Sequence, residues 1–237
     1  MIKDGSIFLK YLIGITSLGG VALNLVCAVT DGYSHWSKRL LYFTGQSNIW
    51  IGVTCIFLAT LLLLKKSGKK VRVKPWIYLF KYIFTVSIAV TGIVYCFLLA
   101  PFADESYNVW SLGSILTHFI TPVLSVIDFF ADGYDYAFKN RHAFYCAVPP
   151  LIYTMFSGVL SVFGVDFGRG EVFPYFFMNF NTPSKLFGFT PHIPIYMGSA
   201  YWILLMAMLV LCVAFTFMYL HPATRRRRKA GIVYGNE

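Results

Sequence analysis

One imidazole stands in the middle of an apolar stretch. Asn108–Phe130 reads NVWSLGSILTHFITPVLSVIDFF, and His118 is its histidine. An ionisable side chain inside a membrane span is costly and marks a functional candidate. Pro122 follows four residues later and has no N–H to give the His118 carbonyl. A bare carbonyl in lipid must find another partner, so His118 is expected to face a protein-lined interior. A second polar cluster opens the stretch LLYFTGQSNIW, with Thr44, Gln46, Ser47 and Asn48. Helical spacing puts Thr44, Ser47 and Asn48 on one face and Gln46 on another. A threonine hydroxyl becomes a nucleophile only beside a base, and an imidazole is such a base near neutral pH. Acyl transfer to Thr44 Oγ1 with His118 as base is the chemistry these types allow. Ser47 or Asn48, on the Thr44 face, is the candidate donor to the oxyanion.

Asp128 lies ten residues beyond His118, roughly 15 Å along a straight helix. That is too far for a triad partner, so it reads as an interfacial or structural carboxylate. Interhelical hydrogen bonding is the competing explanation for all these polar groups, since membrane helices use it routinely. Neither a GxSxG elbow nor a zinc signature occurs, so no cofactor or metal is expected.

The elements that carry these residues follow from composition. The chain has 237 residues, 57% hydrophobic and 13% charged. Soluble domains carry about 25% charged residues. Apolar runs of spanning length recur at Ile7–Val29, Leu41–Leu64, Trp76–Ala100, Asn108–Phe130, Ala143–Val165 and Pro194–Leu220. The expectation is an all-α polytopic membrane protein. Six transmembrane helices form one bundle over residues 1–224, and 225–237 is a basic tail. Lys10 and Lys81, near the ends of spans one and three, are expected to snorkel to the headgroups. Gly14, Gly19 and Gly20 suit close helix packing, and Asn24 reads chiefly as interhelical glue. Pro149 and Pro150 should bend or break span five early. The five cysteines lie in five different spans without metal-like spacing and read as small buried hydrophobes.

The segment from about Asp166 to Ile193 is the longest connection and holds VFPYFFMNFNTP. It is too apolar for a solvated loop. It is expected to lie in the interface or to fold back over the mouth of the bundle. An aromatic belt explains it plainly; substrate access past Tyr175, Phe176 and Phe177 is the functional alternative.

LLYFTGQSN, THFITPVLSVIDFF and VFPYFFMNF together resemble the androgen-induced gene family, as a bacterial-type member. The resemblance covers most of the chain on short, degenerate motifs. It implies a six-span hydrolase of fatty acid esters of hydroxy fatty acids or related lipid esters. It also implies a threonine at the start of span two and a histidine in span four as the essential pair, here Thr44 and His118. Asp128 matches the family's acidic residue. The proline four residues after the histidine, and the run GQSN, depart from the vertebrate pattern and leave the substrate open. The implied partners are a lipid or fatty-acyl ester and the membrane, in a bacterial cell membrane, with no nucleic acid. A small-molecule or ion transporter and a non-catalytic lipid-binding protein are the alternatives from other classes. The scarcity of other ionisable groups deep in the spans, and the absence of an internal repeat, weigh against transport.

The net charge of +10 speaks to orientation rather than to nucleic acid. With six spans, fourteen Lys and Arg residues fall on the side of both termini and four on the other. The positive-inside rule then makes both termini cytoplasmic. Single cysteines at Ser67 and Asn181, in a cysteine-free background, test this. An impermeant thiol reagent added outside should label position 181 and spare position 67; the reverse pattern inverts the orientation.

Overall fold

The computed structural model describes residues 4–103, 108–131, 136–179, 184–185, 192–193 and 195–230. It is all-α apart from two paired two-residue strands, and it has six helices long and apolar enough to cross a membrane. They are α1 (Asp4–Val26), α2 (Phe43–Lys66), α3 (Pro75–Phe102), α4 (Leu112–Ala131), α5 (Asn140–Val162) and α6 (Ile195–Leu220). A short helix α7 (Pro222–Lys229) carries the arginine run. The chain is a multi-pass membrane protein. Strands β1 (Ser184–Lys185) and β2 (His192–Ile193) pair antiparallel in the connection before α6. Phe180 and Asn181, in the same connection, lie outside the described residues, as do 231–237 of the basic tail.

Local chemistry sets the helix ends. Pro75 opens α3 at a position whose N–H needs no partner. Ser111 caps α4, its hydroxyl oxygen accepting from Ser114 N at 3.3 Å. The double proline does interrupt α5. The helix breaks at Cys146–Ala147 and resumes at Val148, with Pro149 and Pro150 in the first turn of the new segment. Small residues let α1 approach its neighbours. A side chain at Gly14 would strike Ile56 of α2, and one at Gly20 would strike Thr117 of α4, whereas Gly19 faces open space.

The largest buried cluster among the described residues joins α3, α4, α5 and α6. Tyr82, Val86, Phe129 and Met218 pack there with Phe138. The Tyr82 hydroxyl donates to the Ala214 carbonyl at 2.7 Å. Hydrogen bonding removes the phenol's cost in a low-dielectric interior.

Lys10 and Lys81 do not snorkel. Both are fully buried, and Asp128 is 1% exposed between them. Lys10 Nζ donates to Asp128 Oδ1 at 2.9 Å and to Ser6 Oγ at 2.8 Å. Lys81 Nζ lies 3.0 Å from Asp128 Oδ2, an ion-pair contact off the hydrogen-bonding direction, and 3.2 Å from Cys55 Sγ. Four helices thus each contribute one residue to one buried polar cluster. Asp128 is structural, as one of its two sequence readings held, but it is interior rather than interfacial. Cys55 is buried, as expected, yet it accepts from an ammonium rather than only filling space. Cys27, Cys96 and Cys212 sit on the exposed faces of the chain.

Removing one partner of such a cluster strands the others. Asp128→Ala should destabilise the protein by about 3–5 kcal/mol in reversible unfolding in micelles. Replacing the cluster as a unit, with Lys10→Met, Lys81→Met and Asp128→Leu together, should recover most of that loss. A single Asp128→Ala that unfolds like the parent would show the ion pairs contribute nothing.

Candidate active site

The site begins with two faults in helical regularity. In α4, residues Leu116–Ile120 form a π-helical turn, with Thr121 N donating to Leu116 O. In α3, Tyr95–Leu99 do the same, with Ala100 N donating to Tyr95 O. Each turn ends two residues before a proline, Pro122 and Pro101. A proline strips the fourth carbonyl before it of its donor and pushes against it. An extra residue in the turn shifts the bonding register there, and such π bulges recur at functional sites.

The two bulges face each other. The Tyr95 and His118 rings stack at 3.7 Å between centroids, 15° apart. The Tyr95 hydroxyl is anchored by donating to Val109 O at 3.0 Å. Gly92 permits this closeness, because a Cβ there would lie 3.0 Å from the His118 carbonyl oxygen and 3.0 Å from the Pro122 ring.

His118 is 7% exposed. Its Nδ1 lies 3.0 Å from the Ser114 carbonyl and 3.2 Å from Thr117 Oγ1. A carbonyl only accepts, so the neutral ring carries its proton on Nδ1. Nε2 is then the nitrogen left to accept a proton. The Thr117 hydroxyl donates to Gly113 O at 2.8 Å and receives Asn24 Nδ2 at 3.4 Å.

Thr44 opens α2 beside this turn. Asn48 Nδ2 donates to Thr44 O at 2.9 Å and to Thr117 O at 3.1 Å, clamping the two helices together. Thr44 and His118 line one cavity of about 300 Å³, together with Asn24, Tyr42, Tyr95 and Tyr175. The Tyr175 phenol lies beside the Thr44 hydroxyl and the backbone N–H groups of Phe43 and Thr44. Burial pushes that phenol up to about 12, so it remains an O–H donor through neutral pH.

Two loops roof the cavity. Arg39 forms an ion pair with Asp31 at 2.5 Å, and Arg169 donates to the Asp31 carbonyl at 2.8 Å. Both guanidiniums lie over the Tyr33 ring, at 4.2 and 5.0 Å, and both line the cavity. Asp166 ties the loops together. It accepts from Ser34 Oγ at 3.0 Å, Gly168 N at 2.7 Å and Gly170 N at 3.0 Å. What burial it has pushes its carboxyl up, but these donors and nearby Lys38 outweigh that and hold it below the ordinary range. Gly168 has φ +123°, and a side chain there would strike Tyr33. The described part of the aromatic connection therefore folds back over the mouth, the second of its two expected placements.

Thr44 and His118 are brought to one cavity, though the two residues are 74 positions apart in sequence. Ser47 and Asn48 are not aimed at it. The Ser47 hydroxyl contacts Thr91 Oγ1 at 3.1 Å and Thr44 O at 3.2 Å. Both hydrogens of the Asn48 amide go to backbone carbonyls. Their donors are committed to helix packing, and the Tyr175 phenol is the hydroxyl that stands beside Thr44 on the cavity side. Tyr175 and Phe176 line the polar cavity, and Phe177 lies in the wall of a second, apolar one. Gln46 points away, as its spacing predicts, and donates to Leu40 O at 3.2 Å. Tyr95, Arg39 and Arg169 were not singled out by sequence.

The chain matches no protein-family model, no curated protein and no solved structure.

Gly92→Ala tests the close approach of α3 and α4. The added methyl must part the helices at His118 and should cost about 1–3 kcal/mol in unfolding experiments. Unchanged stability would mean that the stacked pair tolerates separation.

Proposed function

We propose that this chain is an integral-membrane hydrolase of lipid esters, with Thr44 as nucleophile and His118 as base. One observation carries the reading. A hydroxyl from the start of α2 and an imidazole from the π turn of α4 line the same cavity. The imidazole's Nδ1 is tied to its own helix, which leaves Nε2 to take a proton.

The steps are those of acyl transfer. Thr44 Oγ1 attacks the ester carbonyl carbon, and its proton passes to His118 Nε2. The carbonyl electrons move onto oxygen, where the Tyr175 O–H beside Thr44 is the candidate donor. The oxyanion collapses, the bond to the alcohol oxygen breaks, and the alcohol leaves with the proton from His118. Water, deprotonated by His118, then attacks the acyl–threonine ester. The acid departs and Thr44 regains its hydrogen.

Two guanidiniums stand in the cavity wall, with the Glu171 carboxylate, and they would meet an anionic group on the substrate. A fatty acid ester of a hydroxy fatty acid carries such a group as its free carboxylate. This agrees with what the resemblance to the androgen-induced gene family implies. A bacterial cell membrane, with both termini cytoplasmic, is part of the same proposal. The cavity would then open on the outer half of the bilayer.

Thr44→Ala, His118→Ala and the double variant should fall to a similar residual ester hydrolysis, because members of one catalytic unit do not add. Thr44→Ser should keep part of the activity. An alkyl fluorophosphonate should label the parent and neither alanine variant. A monodisperse, thermally stable Thr44→Ala that hydrolyses esters at the parent rate would end the covalent mechanism.

A further inference from the structure

Thr44 borders a second cavity besides the polar one. This one is apolar, about 90 Å³, and lies between α2, α3, α5 and α6. It shares Thr44, Leu99 and Tyr175 with the polar cavity, so those three residues form the partition. Its other walls are mainly hydrocarbon and sulfur, with Val90, Val94, Met206 and Val210 among them and Thr91, Tyr153 and Thr154 as the hydroxyl-bearing members. Tyr153 closes one side.

Beyond Tyr153 lies a third space of about 390 Å³, lined by Gln46, Trp50, Phe84, Pro149, Ile152 and Phe156. Tyr153 borders both spaces and is itself 4% exposed. Its ring centroid is 5.2 Å from that of Phe43. The third space is a groove on the membrane-facing side. Ile152 is 61% exposed and Val148 46%, both in its wall and both in the spanning part of α5. At that depth the exposed neighbours of a side chain are lipid tails. The groove lies beside the break in α5, with Val148 and Pro149 of the resumed helix in its wall.

Three spaces thus lie in succession between the membrane face and the polar cavity, divided by Tyr153 and by the partition at Thr44. We propose that the acyl chain of a membrane ester reaches Thr44 sideways, along the groove between α2, α3 and α5 and past the ring of Tyr153. This rests on the hydrolase reading above and assigns the two halves of its substrate. The acyl half occupies the apolar spaces. The alcohol half, with its anionic group, occupies the cavity under Arg39 and Arg169. An apolar groove open to lipid and an apolar cavity against the nucleophile suit a long hydrocarbon tail, so the fitting substrate class is a long-chain acyl ester. A tail moving from lipid into such a groove exchanges one hydrocarbon surface for another, so selection rests on shape. Tyr153 is then the residue that determines acyl length.

The test uses the full chain in nanodiscs with 4-nitrophenyl acetate and 4-nitrophenyl palmitate, and reads the ratio of their kcat/KM values. Tyr153→Trp narrows the passage, and Ile152→Trp narrows the exposed mouth without entering the core. Each should lower the palmitate-to-acetate ratio by roughly tenfold or more, the scale on which pocket shape discriminates. A ratio unchanged in both variants, with the parent active, overturns the sideways route and leaves the hydrolase reading standing. No turnover of either ester by the well-folded parent overturns both.

Discussion

A carboxylate in the interior of a membrane bundle must have a cation, and Asp128 has two. The buried contacts of Lys10 and Lys81 with its two oxygens join α1, α3 and α4 at one level. None of these side chains can relax toward solvent, because all are essentially unexposed. An uncompensated charge at that position costs several kcal/mol, so sliding or rotating any of the three helices is penalised steeply. The register fixed there propagates along rigid helices. Ten residues up α4 from Asp128 stands His118, and eleven residues along α3 from Lys81 stands Gly92, which admits it. Cys55 brings α2 to the same cluster, and eleven residues back along α2 is Thr44. The ion cluster and the cavity are separate sites held by the same four helices.

The second constraint is that backbone polar groups in lipid need partners. Two prolines would leave carbonyls bare in adjacent helices, at Phe97 in α3 and at His118 in α4. Both helices answer with a π turn immediately before the proline. The bulges re-aim the side chains they carry, which is how Tyr95 and His118 come to lie ring on ring. A regular α4 would present the imidazole at another angle. The irregularity is thus part of the construction of the site, and the tie from His118 Nδ1 to Ser114 O completes it by fixing the tautomer.

How far this was legible in the sequence depended on the range of the signal. The six helices were plain, because a run of about twenty apolar residues needs no context to be read. The break in α5 was plain for the same local reason, two consecutive prolines. The shared face of Thr44, Ser47 and Asn48 followed from helical spacing, but spacing does not say what the face meets. Here it meets Thr91 and the Thr117 carbonyl as well as the cavity, so Ser47 and Asn48 are committed to packing while Thr44 borders open space. Lys10 and Lys81 were misplaced because snorkelling and burial look alike in a single helix. The discriminating signal was Asp128, since one carboxylate in an apolar span demands a cation from elsewhere in the chain. Arg39 and Arg169 meet over Tyr33 from loops far apart in sequence, and nothing local in either loop marks the meeting.

The placement of Thr44 gives these constraints a common consequence. The residue sits at a boundary between a polar space roofed by guanidiniums and an apolar space walled by spans. An ester is itself such a boundary, a polar carbonyl carrying an apolar chain. A hydroxyl placed deeper among the spans would meet tails without carbonyls, and one placed higher would meet water. The ion cluster fixes the register of the helices, the π turns set the angle of the imidazole, and the roof tied by Asp166 keeps the polar space covered. Arranged in that way, the bundle brings one hydroxyl, one imidazole and one phenol to the wall of a single cavity.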